Sequence, residues 1–407
     1  MPLKYQTTTL PNGLTIATEH NDDAHSFSAG FFVKTGSRDE TPNVNGVSHF
    51  LEHMMFKGSD TTTWEDVNRV FDEIGARYNA YTSQEMTAYF ANVIPEFTER
   101  AVEHLALLLR PAIRQEDFDT EKNVILEEIA MYLDDPGHVL YEDLMHRHFG
   151  NHPMGMSILG SADSIKKLTR DEMAAYFEQR YGPGNTVLAV TGRFDFDHVV
   201  AMAQKYCGHW KPMKAPRETT QPTVNSSRHA LSDPKLNRSY TMALMPGPSA
   251  QDDRRFAARV LADVLGDSDG SRYYWALVDN AIAEEADFGF YPHDGCGSFY
   301  ISLVTDPDKT EKAFDIALGE LKKLRDDLKD DEVQRAVNKM ASSLVLGGES
   351  PMGRMRALGN QWCYTGEYRS LDQDMETLLA VTPDSLRTLL DSFPPDPMTV
   401  VTLGPGK

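Results

Sequence analysis

Gly46-Val-Ser-His-Phe-Leu-Glu-His-Met-Met-Phe-Lys-Gly58 carries the pattern His49-x-x-Glu52-His53 inside an otherwise apolar run. On a helix, positions 49 and 53 lie one turn apart on one face, and Glu52 falls on the same face three residues from His49. Two neutral imidazoles so placed can bind one Zn²⁺ at about 2.0–2.1 Å, with the carboxylate beside the metal where it can polarise a bound water. This is the zinc-peptidase pattern with its order inverted relative to His-Glu-x-x-His. The plainer reading is an ordinary helix with a polar face. The neighbours Phe50, Leu51, Met54, Met55 and Phe56 argue against it, because in a mostly buried helix two histidines and a glutamate need partners.

A zinc site that keeps one position for water needs a third protein ligand. The helical stretch Glu121-Lys-Asn-Val-Ile-Leu-Glu-Glu-Ile-Ala-Met-Tyr132 offers Glu121, Glu127 and Glu128. Glu121 and Glu128 are seven apart, two turns on one face, so one can ligate while the other hydrogen-bonds a ligand histidine. Glu127 then points elsewhere. Taken alone, the three carboxylates read more readily as a solvated charged face. A second histidine group, His146, His148 and His152, does not converge in the same way. Residues two apart on a helix diverge by about 200°, so these read as surface or packing histidines.

The 407 residues, 41% hydrophobic and 25% charged, suffice for two domains with separate cores. A net charge of −21 argues against nucleic acid and anionic membrane surfaces as partners and suits basic or unfolded peptides. Cys207, Cys296 and Cys363 stand far apart, without zinc-knuckle spacing or disulfide density, and read as reduced, buried thiols. With no apolar run near residue 1 and none of about 18 residues elsewhere, the chain as given reads as cytoplasmic.

Around the motif the pattern is mixed α/β. Residues 13–35 suggest an opening hairpin around Pro11-Asn12-Gly13, with Phe27, Ala29, Phe31 and Val33 alternating as in a strand. Helical spacing recurs over 63–73, 95–109, 117–133 and 169–180, strand character over 77–91, and a buried-strand run over 186–190. The polar, proline-bearing stretch 216–233 reads as a linker between a first domain, 1–215, and a second, 234–407. Beyond it, strands near 238–244, 299–304 and 398–403 and helices over 252–265, 309–328 and 331–345 echo the first half. We therefore expect an α+β fold of two similar α/β domains, each a mostly antiparallel sheet with helices packed on one face.

The motif residues resemble the pitrilysin, insulysin and mitochondrial processing peptidase superfamily. Residues 49–58 are similar to its zinc helix nearly residue for residue. The likeness extends to Asn79-Ala-Tyr-Thr-Ser83, to Glu121 through Glu128 ahead of Asp134-Asp-Pro136, to 152–160 and to 181–192. It implies His49, His53 and Glu128 as zinc ligands, Glu52 as general base, Glu121 as the glutamate behind a ligand histidine, and one Zn²⁺ per chain. It also implies that Asn79 and Ala80 lie on an edge strand that binds peptide by strand addition, in one half of a clamshell. The activity implied is metal-assisted hydrolysis of peptide bonds in short or unfolded peptides.

The second half matches more loosely, through 264–274 and 347–350. Peptide-cleaving members carry an arginine and a tyrosine seven residues apart after a Ser-Arg-Leu-Phe type stretch. Counted from Ser271-Arg272, those slots fall on Val278 and Glu285, neither of which can stabilise an oxyanion. We therefore expect a heterodimer in which a related chain supplies that pair, with a homodimer as the alternative. A non-catalytic core or scaffold subunit of a larger assembly is the competing role, and such relatives tend to lose the zinc residues that this chain keeps.

Overall fold

The computed structural model describes residues 3–217, 219–267 and 269–406. Glu218 of the linker and Ser268 of the 264–274 block lie outside the described residues. Two compact units emerge. The first comprises Met1–Ala130, Met156–Glu218 and Leu346–Tyr368; the second comprises Met131–Gly155, Thr219–Val345 and Arg369–Lys407. Neither unit is one continuous run: besides the division at 218/219, each takes one segment from the other half of the sequence.

The strands in chain order are β1 (Lys4–Thr9), β2 (Thr15–His20), β3 (Phe27–Val33), β4 (Arg77–Thr82), β5 (Thr87–Val93), β6 (Thr186–Gly192), β7 (Ser227–Ser232), β8 (Ser239–Gly247), β9 (Glu285–Pro292), β10 (Gly297–Thr305) and β11 (Thr399–Gly404). Four helices carry the argument: α1 (Val47–Met55), α2 (Gln115–Leu133), α3 (Pro136–Phe149) and α4 (Pro351–Thr365).

The first unit is built on a six-stranded sheet in the order β1-β2-β6-β3-β5-β4. All neighbours are antiparallel except β2 and β6. β1 and β2 form the expected hairpin, and β4 closes the other edge against β5 alone. β3 is buried at all seven residues rather than at alternate ones. On one face, Phe32, Ala88, Phe90, Val187 and Ala189 pack against Met355, Leu358 and Cys363 of α4. On the other, reached by the intervening residues, Phe31 meets Trp210 at 5.6 Å and Tyr89 meets Tyr181, under the helices Thr98–Leu108 and Phe196–Cys207.

The second unit repeats this plan on a five-stranded sheet, β7-β11-β8-β10-β9. Helices including Arg255–Gly266 and Thr310–Asp327 cover the face of Ala243, Met245, Phe288, Ile301 and Val400. α3 covers Met242, Leu244, Val401 and Leu403 with Leu140, Leu144, Met145 and Phe149. Two α/β units with mostly antiparallel sheets and packed helices are thus observed. In both, the second sheet face is closed as well, by α4 in one and α3 in the other, helices that the sequence reading does not foresee. Among the described residues, no helix is long and apolar enough to cross a membrane, and all three cysteines are buried and outside any disulfide.

α4 can lie close on the sheet because Gly359 faces the Phe32 ring, where a Cβ would overlap it. It is then locked by charge. Arg354, 4% exposed, donates from Nε to Glu19 Oε2 at 2.7 Å and from Nη2 to Oε1, and Glu19 on β2 is fully buried. Removing one member of a buried pair strands the other in a low-dielectric interior, at a cost of about 3–5 kcal/mol. Arg354→Ala should therefore lower the urea unfolding midpoint of the first unit strongly. The double change Arg354→Leu with Glu19→Leu should recover much of that loss, because it leaves no unpaired buried charge.

Candidate metal centre

α1 begins where Gly46 adopts φ +94, a left-handed conformation that glycine tolerates. The helix's orphan N–H groups need acceptors, and Glu40 supplies them. Its Oε2 accepts from Gly46 N at 2.7 Å and Asn45 Nδ2 at 2.8 Å, and its Oε1 accepts from Ser48 N at 2.8 Å. Burial nevertheless pushes the Glu40 carboxyl up to about 7, against the pull of those N–H donors. One side of α1 packs on α2 through stacked Phe50 and Phe118, 4.8 Å apart. The other side touches β4 through Phe56 and Tyr78.

This packing brings His49 and His53 of α1 to Glu128 of α2. One ligand atom from each lies within 4.8 Å of the others. His49 Nε2 is 3.8 Å from Glu128 Oε1, and His53 Nε2 is 3.6 Å from Glu128 Oε2. Both separations exceed a hydrogen bond. They lie near the roughly 3.3 Å that separates two atoms bound at about 2.0–2.1 Å to one tetrahedral ion. The nitrogen–oxygen donor set and its spacing therefore fit zinc. Among the described residues this is the single His/Cys/Asp/Glu group that could hold a metal.

The surrounding contacts orient the donors. His53 Nδ1 lies 2.9 Å from Glu121 Oε1, which turns Nε2 toward Glu128. Lys57, one turn further along, pairs with the other Glu121 oxygen. Burial alone would raise the Glu121 carboxyl, but His53 and Lys57 hold it below its usual value. Burial, with His53 adding to it, lowers His49 to about 3, so its ring stays an unprotonated donor at neutral pH. For His53 burial works downward, yet the Glu121 bond and the charges of Glu128, Glu121 and Glu52 leave it raised.

Glu52 sits beside this group and accepts from Thr82 Oγ1 at 2.6 Å. Burial raises its carboxyl, with Thr82 and His53 opposing. Glu127 is exposed and takes no part. Thr82 and Lys57 are functional neighbours that the sequence reading passes over, although both lie in the stretches 79–83 and 49–58 that it singles out. Asn79 and Ala80 lie on β4, an edge strand as expected, where the Ala80 N–H donates to Asn79 Oδ1 at 2.9 Å.

In the second histidine group, His146 is exposed and two others have separate partners. His148 is buried against Thr399 Oγ1 at 3.2 Å, with burial lowering it to about 4, and His152 contacts the Thr220 carbonyl. In the second unit, Val278 ends a wide helical turn, Tyr274–Val278, and Glu285 is exposed at the start of β9. The neighbouring Arg272 and Tyr273 are committed elsewhere. Arg272 pairs with Glu332 and Asp327, and Tyr273 is buried with its hydroxyl on the Ala317 carbonyl.

A mixed α/β fold with two histidines and a glutamate from adjacent helices, and a second glutamate beside them, defines a metallopeptidase-like class. Comparison with known families narrows it. The family model described as Insulinase (Peptidase family M16) matches residues 15–162, and the one described as Peptidase M16 inactive domain matches residues 167–340. An uncharacterized zinc protease of Streptomyces coelicolor is 32% identical over 392 residues, covering 94% of this chain and 85% of the relative. A protease from Helicobacter pylori superposes with a TM-score of 0.92 at 19% identity, covering 99% of this chain and 100% of that one. A Pseudomonas fluorescens structure described as a peptidase M16 inactive domain gives 0.93 at 20% identity, covering 100% and 98%. The chain belongs to peptidase family M16.

Because His53 is held by Glu121, Glu121→Ala should weaken zinc binding about 10- to 100-fold in a chelator competition. A ligand must also shed its proton to bind. Below the raised pKa of His53, zinc affinity of the wild-type chain should accordingly fall about tenfold per pH unit, and the same titration read at stepped pH checks it.

Proposed function

We propose that this chain is a zinc-dependent endopeptidase subunit acting on short or unfolded peptides. The observation that carries the reading is the convergence of His49, His53 and Glu128 with Glu52 next to them. His49, His53 and Glu128 hold the ion, Glu121 orients His53, and Glu52 is the general base. Zinc held there would supply Lewis acidity, polarising the scissile carbonyl and bringing the pKa of a water toward about 7. Glu52 takes the proton of the attacking water and passes it to the leaving amine nitrogen. Thr82 fixes one Glu52 oxygen and leaves the other for that proton, while burial of Glu52 brings its proton affinity toward the working range. The edge strand β4, at Asn79 and Ala80, pairs with the substrate backbone and lays it past the metal.

The vacant arginine and tyrosine slots at Val278 and Glu285 support a second element of the reading: this chain works with a homologous partner that carries those residues. The same vacancy, with the second half matching a family model described as inactive, is what favours the competing role of a non-catalytic assembly subunit. The complete set of His49, Glu52, His53 and Glu128 weighs against that role.

Glu52→Gln should keep stoichiometric zinc and lose at least about 10²-fold in hydrolysis of a quenched, unstructured peptide, within the range general-base catalysis contributes. Undiminished turnover in that variant would remove Glu52 from the role. The purified chain alone should turn such a peptide over weakly, and adding a homologue that bears the arginine and tyrosine should raise the rate. Robust cleavage by the chain alone would overturn the heterodimer.

A further inference from the structure

The β4 edge has two chemically different faces. Thr82 reaches Glu52 and Tyr78 stacks on Phe71 at 4.0 Å, so Tyr78, Ala80 and Thr82 face the α1 side. By alternation Arg77, Asn79 and Tyr81 face the α4 side, consistent with their pairing to Asn92, Phe90 and Ala88. Here Arg77 is exposed, and Arg356 of α4, also exposed, lies with its guanidinium 4.6 Å from the centre of the Phe90 ring. The Tyr81 ring is 6.4 Å from the same phenyl. Neither Arg77 nor Arg356 has a carboxylate partner among the described residues. The nearby Glu85 is fully buried and already paired with Arg38.

We infer that the β4 edge selects peptides with Asp or Glu at alternate positions, on the side chains that fall beside Arg77 and Arg356. This rests on the reading of β4 as the peptide-pairing strand. A peptide added to β4 runs about 4.8 Å from it, so its same-face side chains opposite Arg77 and opposite Asn79 lie directly across from and diagonal to Arg77. Arg356 adds positive charge over the same face. The net charge of −21 points the other way, toward basic segments. Charges beyond the Debye length of about 8–10 Å are largely screened at ordinary salt, whereas a cross-strand neighbour is screened much less. The local arginines therefore decide the preference, and the α1 side, with Tyr78, Ala80 and Thr82, carries no matching charge on this strand.

The experiment uses the zinc-loaded Glu52→Gln chain and three labelled, unstructured peptides identical except for Glu, Gln or Lys at alternate positions, with Kd read by fluorescence anisotropy. The Glu peptide should bind about fivefold more tightly than the Lys peptide at low salt, and the preference should shrink at high salt. Arg77→Glu should reverse it, and Arg356→Glu should reduce it. Equal binding, preference for the Lys peptide, or a preference that survives Arg77→Glu would overturn the proposal while leaving β4 as a peptide site. Absence of binding to all three peptides by a chain that retains zinc would overturn the proposal together with the pairing role of β4.

Discussion

Everything at the candidate site depends on His53 being gripped from two sides by one helix. Glu121 and Glu128 lie two turns apart on α2; the first takes Nδ1 at 2.9 Å and the second faces Nε2 at 3.6 Å. That grip works only if α1 and α2 keep a fixed register. The Phe50 and Phe118 stack and the Glu40 cap on the first turn of α1 supply it. A hydrogen-bonded imidazole with one nitrogen fixed presents the other in one direction, which is what a metal donor requires.

The same constraint accounts for the electrostatics. Burial keeps His49 neutral, while three carboxylates around His53 favour its protonated form. A cation placed among these groups would substitute for that proton and satisfy Glu128, whose Oε2 is buried without a hydrogen-bond partner. Glu52 is kept out of the donor group by Thr82 at the end of β4. One strand thus both positions the second glutamate and forms the open sheet edge, which places any peptide paired there alongside the metal donors.

Much of this is legible in the sequence because it is local. The His49-x-x-Glu52-His53 spacing fixes a face of one helix, and the seven-residue interval between Glu121 and Glu128 fixes a face of another. The first hairpin is written in its turn residues. What is not legible depends on contacts distant along the chain. α4 carries Gly353 and Gly359 and little apolar periodicity, and its place on the sheet rests on Glu19, 335 residues away, which holds Arg354. α3 is hidden for the same reason, its apolar side matched to strands β8 and β11 in the other half of the sequence. The alternation seen in β3 suggests one solvated face, yet α4 buries it. Thr82 shows no signal of its own, since a threonine at a strand end is ordinary until the carboxylate beneath it is placed.

The most direct test of the account is a crystal structure of the zinc-incubated chain with anomalous data at the zinc edge. One ion per chain should appear, bound to Nε2 of both His49 and His53 and to a Glu128 oxygen at about 2.0–2.2 Å, with Glu121 still on His53 Nδ1. Zinc bound instead at His146, His148 and His152, or no ordered zinc at saturating concentration, would contradict it.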